Sequence, residues 1–299
     1  MKTLLIVLSV CCHLQTQAQP KLDTLSILFI GNSYTYFNNL PVVVKSIAAH
    51  NGQPINAEMI VAGGMTLKGH WHDSTHVALK KLQSRHWDFV IMQDQSQLGL
   101  EGAGPEPIDK HWIAKPDTFY RYAQLWSEEI KKQQATPCFA TTWAREYDPS
   151  AQPLLTHAYT TISRQTRALL IPVGDVWQYC LTTYKQIKLY QSDGSHPTQA
   201  GSFLMATTVL QSLLPTLKLR VGYPVIGLPV DIRGKVLNTS IHINGSQNYT
   251  IYPSTNEVVL IGLAKKEQEI LLTVSQQTER IRRSLISHDN KLPNGLLYH

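Results

Sequence analysis

The sequence predicts an α/β fold, a doubly wound parallel five-stranded sheet with helices on both faces, followed by a C-terminal extension. Three observations lead there. Five short, almost wholly apolar runs recur along the first 173 residues. Amphipathic stretches of helical length separate them. Strands that are apolar on both faces, alternating with helices, belong to parallel sheets covered on both sides. The runs also end in glycine or in polar residues, and such sheets bind ligands beyond the carboxyl ends of their strands. Right-handed crossovers then restrict the topology to a doubly wound sandwich.

The elements follow in order. Leu25-Ser-Ile-Leu-Phe-Ile30 is the first strand and stops at Gly31. Residues 38–51 are expected to be helical, with Pro41 near the start and Asn51-Gly52 as the stop. Glu58-Met-Ile-Val61 is the second strand, ending in Gly63-Gly64, and a helix over 74–85 offers Val77, Leu79 and Leu82 to the core. Asp88-Phe-Val-Ile-Met92 is the third strand, with a Gly/Pro-rich loop from Gly99 to Pro116 beyond it. A helix over 117–134 leads to the strand Pro137–Thr142, and a helix over 151–168 to the strand Leu169–Val173. Helices over 175–187 and 198–213 flank a turn at Asp193.

The expected organisation is a signal peptide over 1–18, an α/β domain over 19–218 and an extension over 219–299. Lys2, the apolar run Leu4–Cys12 and the small residue Ala18 have the layout of an export signal, which implies a secreted or periplasmic protein. Cleavage there would remove Cys11 and Cys12 and leave Cys138 and Cys180, enough for one bridge but not for a disulfide framework. Cys138, within an apolar strand, reads as a free buried thiol. The tail is rich in Asn, Ser, Thr and Gln, with alternating stretches and a helical pattern over 262–283. Asn238, Asn244 and Asn248 begin glycosylation triplets that also read as plain polar loop. No apolar run approaches the ~20 residues of a membrane span. Net charge is +6 with no block of like charges, so nothing points to nucleic acid.

Chemistry collects where the strands end. Gly31-Asn32-Ser33 puts a hydroxyl just past the first strand, though Gly-Asn-Ser is also an ordinary turn. Late in the domain stands Asp193-Gly194-Ser195-His196-Pro197. A carboxylate three residues before an imidazole can orient it toward a serine. An unperturbed His pKa of ~6.5 suits proton transfer near neutrality.

Taken together, Gly31-Asn32-Ser33, Gly63-Gly64-Met65-Thr66, the amides after Met92 and Asp193-x-x-His196 resemble, in order, the blocks of the SGNH (GDSL-like) hydrolase superfamily over about residues 22–213. The run from Phe29 to Pro41 is similar to a secreted bacterial branch of it. The resemblance implies Ser33 as nucleophile, His196 as base and then acid, and Asp193 as orienting carboxylate. It also implies an oxyanion hole from the backbone N–H groups of Ser33 and Gly64. Two departures stand out. Asn32 replaces a common Asp, and the third block, usually Gly-x-Asn-Asp, reads Gln93-Asp94-Gln95. By register Gln95 matches the family Asn, whereas some branches carry Gln at the Gln93 position. The implied activity is a serine esterase with no cofactor and no metal. Its substrate would be a small-molecule or glycan ester, with O-acetyl groups on carbohydrate favoured.

Trp143-Ala-Arg145 follows the fourth strand, so Trp143 could stack on a sugar and Arg145 could grip a carboxylate. An indole there also packs well in a core. His72 and His76 are four apart, the spacing of a metal pair on one helix face, but Asp73 or Ser74 as an N-cap would put His72 outside the helix. Two other readings stay open. One is a weakly catalytic carbohydrate-binding protein on the same fold, and the other is a lipase or thioesterase.

Overall fold

A computed structural model describes residues 23–98, 116–227 and 259–289. The expected signal segment with Cys11 and Cys12, most of the Gly/Pro-rich loop and the three glycosylation triplets lie outside those residues. Strands β1 (Leu25–Gly31), β2 (Ile55–Val61), β3 (Phe89–Met92), β4 (Thr136–Ala140) and β5 (Leu169–Ile171) form one parallel sheet in the order β2-β1-β3-β4-β5. This is the doubly wound order with its switch point between β1 and β3.

Strand alternation distributes the core. Ile27 and Phe29 of β1, Ile91 of β3, Cys138 of β4 and Ile171 of β5 face one layer. That layer contains α2 (Leu40–His50), α7 (Val173–Thr183) and α8 (Gln199–Leu213). Leu28, Ile30, Val90, Met92, Phe139 and Leu170 face the other. There α4 (Val77–Gln83), α5 (Asp117–Lys132) and α6 (Gln152–Thr166) pack. Period-two side chains buried on both sides give the continuous apolar runs seen in the sequence. Cys138 and Cys180 are both free and buried.

Two short helices were not expected, α1 (Ser33–Tyr36) and α3 (Leu67–His72). They have four and six residues, too few for hydrophobic periodicity to register. The tail contributes a two-stranded antiparallel pair, β6 (Val225–Gly227) with β7 (Val259–Ile261), and two helices, α9 (Lys265–Ser275) and α10 (Thr278–Asp289), where one was expected. Val225, Leu271 and Val274 belong to the same buried cluster as Ile27 and Phe29, so the described tail completes the layer over α2 and α8. No helix among the described residues is long and apolar enough to cross a membrane.

Close approach fixes how α7 meets the sheet. A Cβ on Gly174 would sit 2.1 Å from the Thr142 carbonyl oxygen and 2.4 Å from Gln152 Nε2. The first is backbone and cannot swing away. Gly174→Ala is therefore expected to cost about 1–3 kcal/mol, the usual range for overpacking. A thermal melt should show a drop of several degrees, whereas an unchanged melting temperature would mean that α7 shifts freely.

Candidate active site

β1 ends at Gly31 because space, not backbone angle, forbids a side chain there. A Cβ would lie 2.6 Å from Thr35 Oγ1. Asn32 then caps α1, its Oδ1 accepting from Tyr34 N at 3.2 Å, and Ser33 follows as the first helical residue. The other end of the Asn32 carboxamide donates to the carbonyls of Met65 (3.1 Å) and Asp94 (3.0 Å). One side chain thus fastens the loops after β1, β2 and β3. An aspartate could accept from Tyr34 but could not donate to two carbonyls. Asp94 extends the lacing. Its Oδ2 accepts from Leu67 N at the start of α3 (3.0 Å), and its own N–H donates to Tyr159 Oη (3.0 Å).

The structure brings Ser33, His196 and Asp193 together. His196 Nε2 is 2.9 Å from Ser33 Oγ across 163 positions of chain, and His196 Nδ1 bonds Asp193 Oδ2. Asp193 Oδ1 accepts from the N–H groups of Ser195 and His196, both at 3.0 Å. Gly194, at φ +64°, is the left-handed residue that closes this turn. Burial raises the Asp193 carboxyl, but His196 and the two N–H groups outweigh it and hold it below its usual value. Burial lowers the His196 pKa; contact with Asp193 works against that and the Arg145 charge works with it. The imidazole is therefore neutral near pH 7.

Further groups set the imidazole in place. Its ring stacks on Phe37 with centroids 4.2 Å apart and meets Tyr34 edge-on at 5.7 Å. Tyr34 Oη and Ser195 Oγ share a 2.7 Å hydrogen bond. Asn38, left-handed at φ 55°, donates from Nδ2 to Thr198 O (3.1 Å) and Ser202 Oγ (2.8 Å). It ties the end of the α1 segment to the start of α8, just past His196. Tyr34 and Asn38 escape a sequence reading, and Asn32 and Asp94 show there only as members of motifs, because single polar residues carry no spacing signal. Their partners lie far away in the chain.

The remaining expected site residues separate. Gly64 lies in the turn after β2 at φ +65°, exposed, beside the Met65 carbonyl that Asn32 holds. Gln93 Oε1 accepts from Thr35 Oγ1 (2.8 Å), and its Nε2 is buried without a hydrogen-bond partner. Gln95 Oε1 accepts from Gln97 N (2.5 Å). Trp143 departs from the expectation of a sugar platform. It is wholly buried, stacked between Tyr34 (4.2 Å) and Trp177 (4.1 Å), and its Nε1 donates to Ser195 O at 2.9 Å. It supports the histidine turn from below. The aromatic exposed nearby is Tyr147, 62% exposed, with its ring against the position a Gly194 side chain would take. Arg145 donates to Ser96 Oγ (3.2 Å) and Tyr147 Oη (3.1 Å), and its charge acts on His196.

The histidine spacing does not survive folding. His72 ends α3 and bonds Tyr122 Oη at 2.6 Å, while His76 is the left-handed N-cap of α4. Asp73 caps that helix by accepting from Val77 N (3.3 Å). No metal-ligand cluster of His, Cys, Asp or Glu occurs among the described residues.

Compared by sequence, the chain matches no family model and no curated protein. Among solved structures it is similar to a DUF4886 family protein from Bacteroides uniformis, with TM-score 0.58 and 14% identity over 86% of this chain and 95% of that one. It is also similar to an acetyl xylan esterase, with TM-score 0.51 and 13% identity over 64% of this chain and 100% of that one. A catalytic mutant of an acetylxylan esterase from Geobacillus stearothermophilus matches with TM-score 0.50 and 17% identity over 65% and 96%. At these identities the likeness concerns the fold alone, the five-stranded parallel sheet with helices on both faces expected from the sequence.

Two buried titrating groups act on stability in opposite senses. His70 on α3 donates from Nε2 to the Gly31 carbonyl at 2.7 Å, and burial lowers its pKa to about 4. The unfolded chain takes up that proton first, so this contribution grows as pH rises from about 4 to 6.5. Burial raises the pKa of Asp175, at the start of α7, to about 6. The folded form holds that proton longer, so its contribution shrinks as pH rises from 3.8 to about 6. Each effect is of order 3 kcal/mol at about 1.4 kcal/mol per pKa unit. Melts between pH 4 and 6.5 should show a smaller gain in melting temperature with pH for His70→Gln than for the parent, and a larger gain for Asp175→Asn.

Proposed function

We propose that the protein is an exported serine esterase that hydrolyses small acyl esters, with O-acetyl groups on carbohydrate as its substrates, through an acyl-enzyme. The observation that carries this reading is the 2.9 Å contact between Ser33 Oγ and a neutral His196 whose far nitrogen is held by Asp193. A serine paired with a base, and a base paired with an orienting carboxylate, is the arrangement that nucleophilic acyl transfer needs. The acetyl xylan esterases among the structural neighbours support the substrate class by fold alone.

In the proposed reaction Ser33 Oγ attacks the ester carbonyl as His196 Nε2 takes its proton. Asp193 stabilises the imidazolium. The carbonyl oxygen, now negative, accepts from the N–H groups of Ser33 and Gly64 and from a side-chain amide. Gln95 fits that third place better than Gln93. Register is the ground for that choice, since both glutamines are buried and each accepts at its oxygen, Gln95 from Gln97 N and Gln93 from Thr35 Oγ1. His196 next protonates the departing alkoxide, then removes a proton from water, which attacks the acyl carbonyl and frees Ser33.

Ser33→Ala should abolish acetate release from p-nitrophenyl acetate and labelling by a fluorophosphonate. A variant as fast as the parent removes Ser33 from the reaction. Gln95→Ala should slow kcat by about 10²–10³-fold, the usual cost of one oxyanion donor, with Gln93→Ala falling less. The reverse order assigns the donor to Gln93. Because His196 must be neutral to act and its pKa lies below 6.5, kcat/KM should fall on acidification with a midpoint under pH 6.5. In Asp193→Asn that midpoint should move lower still, since the contact that raises the His196 pKa is gone.

A further inference from the structure

We propose that Arg145, with Ser96 and Tyr147, forms a subsite for a carboxylate on the substrate, so that the preferred ester is an acylated acidic sugar. This inference rests on the esterase reading and narrows its substrate class.

The Arg145 guanidinium is half-buried, and both of its bonded partners are neutral hydroxyls. Its Nε is buried with no hydrogen-bond partner. No ion pair among the described residues includes it. A half-buried guanidinium with no ion-pair partner among the described residues keeps its charge available to an incoming anion.

Its position is fixed on two sides. Glu146 N donates to Gly194 O at 2.8 Å, which binds this segment to the histidine turn. Tyr190 Oη donates to Ala144 O at 2.6 Å from beneath. The Arg145 charge reaches both His196 and Tyr34, so the guanidinium lies within electrostatic range of the Ser33–His196 pair. One planar guanidinium edge flanked by two hydroxyls suits a carboxylate, which is planar and carries a single charge. The exposed Tyr147 ring beside it offers an apolar face of the kind that sugar rings cover. Position 145 is therefore a specificity residue, acting on the part of the substrate that does not react.

The test uses one sugar in two forms, peracetylated methyl glucuronoside as the free acid and as its uronamide, which differ only in the charge. In the parent, kcat/KM for acetate release should favour the free acid by about tenfold or more, as expected for one charge-assisted pair. Arg145→Gln should bring the ratio to about 1, Arg145→Lys should restore part of it, and 0.5 M NaCl should shrink it in the parent. A ratio near 1 in the parent, or one that survives Arg145→Gln, overturns the carboxylate subsite while leaving the esterase intact. A structural role for Arg145 would lower both rates together and leave the ratio unchanged, which also overturns it. If neither form loses acetate in a Ser33-dependent way, the esterase reading itself falls. Binding of the two forms to Ser33→Ala by calorimetry reads the subsite without turnover. Tighter binding of the acid that disappears with Arg145→Gln supports it, and equal binding overturns it.

Discussion

The Asn32 carboxamide is the constraint on which the rest of the site depends. It spends both of its donors and its oxygen on backbone, accepting from Tyr34 and donating to Met65 and Asp94. These three contacts lie on the loops after β1, β2 and β3, which meet at the switch point of the sheet. Buried at 3% exposure, the amide works where an unmade bond leaves a desolvated group with no partner. The loops are therefore coupled, and a shift in one strands a donor or an acceptor in another. Ser33 and Gly64 inherit their positions from this lacing, because each adjoins a residue that takes part in it.

The histidine turn is held by different means. Carboxylate, backbone N–H groups and imidazole close a small ring at Asp193–His196, and three stacked aromatic rings, Tyr34, Trp143 and Trp177, lie beneath it. Two of those rings also bond Ser195, one to its hydroxyl and one to its carbonyl. Packing and hydrogen bonding thus act on the same residue, one position before His196. That rigidity lets a single imidazole keep its distance from a serine carried by another element.

The fold was legible because burial on both faces of a parallel strand leaves a plain trace, a short run with no polar alternation. All five strands and their crossover helices fall where those runs and the intervening amphipathic stretches place them, with ends shifted by a few residues. Ser33, Asp193 and His196 were legible as motifs for a related reason. Each stands at the end of an element, where a glycine, a proline or an aspartate marks the break in pattern. The short helices α1 and α3 were not legible, since four and six residues are too few to show a period.

Trp143 and the histidines mark the other limit. Sequence position put Trp143 at the rim and gave His72 and His76 a metal-like spacing. Which way an indole turns depends on what stacks against it, and whether two histidines share a helix depends on where the cap falls. Neighbours from distant parts of the chain decide the first, whereas the cap is local, Asp73 accepting from Val77 N. The sequence alone determined the strand order class, the ends at which chemistry collects and the residue types able to perform it. The tertiary structure alone decided that Ser33 and His196 stand 2.9 Å apart, that Trp143 is core and Tyr147 is rim, and that Arg145 has no ion-pair partner among the described residues. Those are relations across the chain, set by packing and by the need to pair every buried polar group, and no local pattern encodes them.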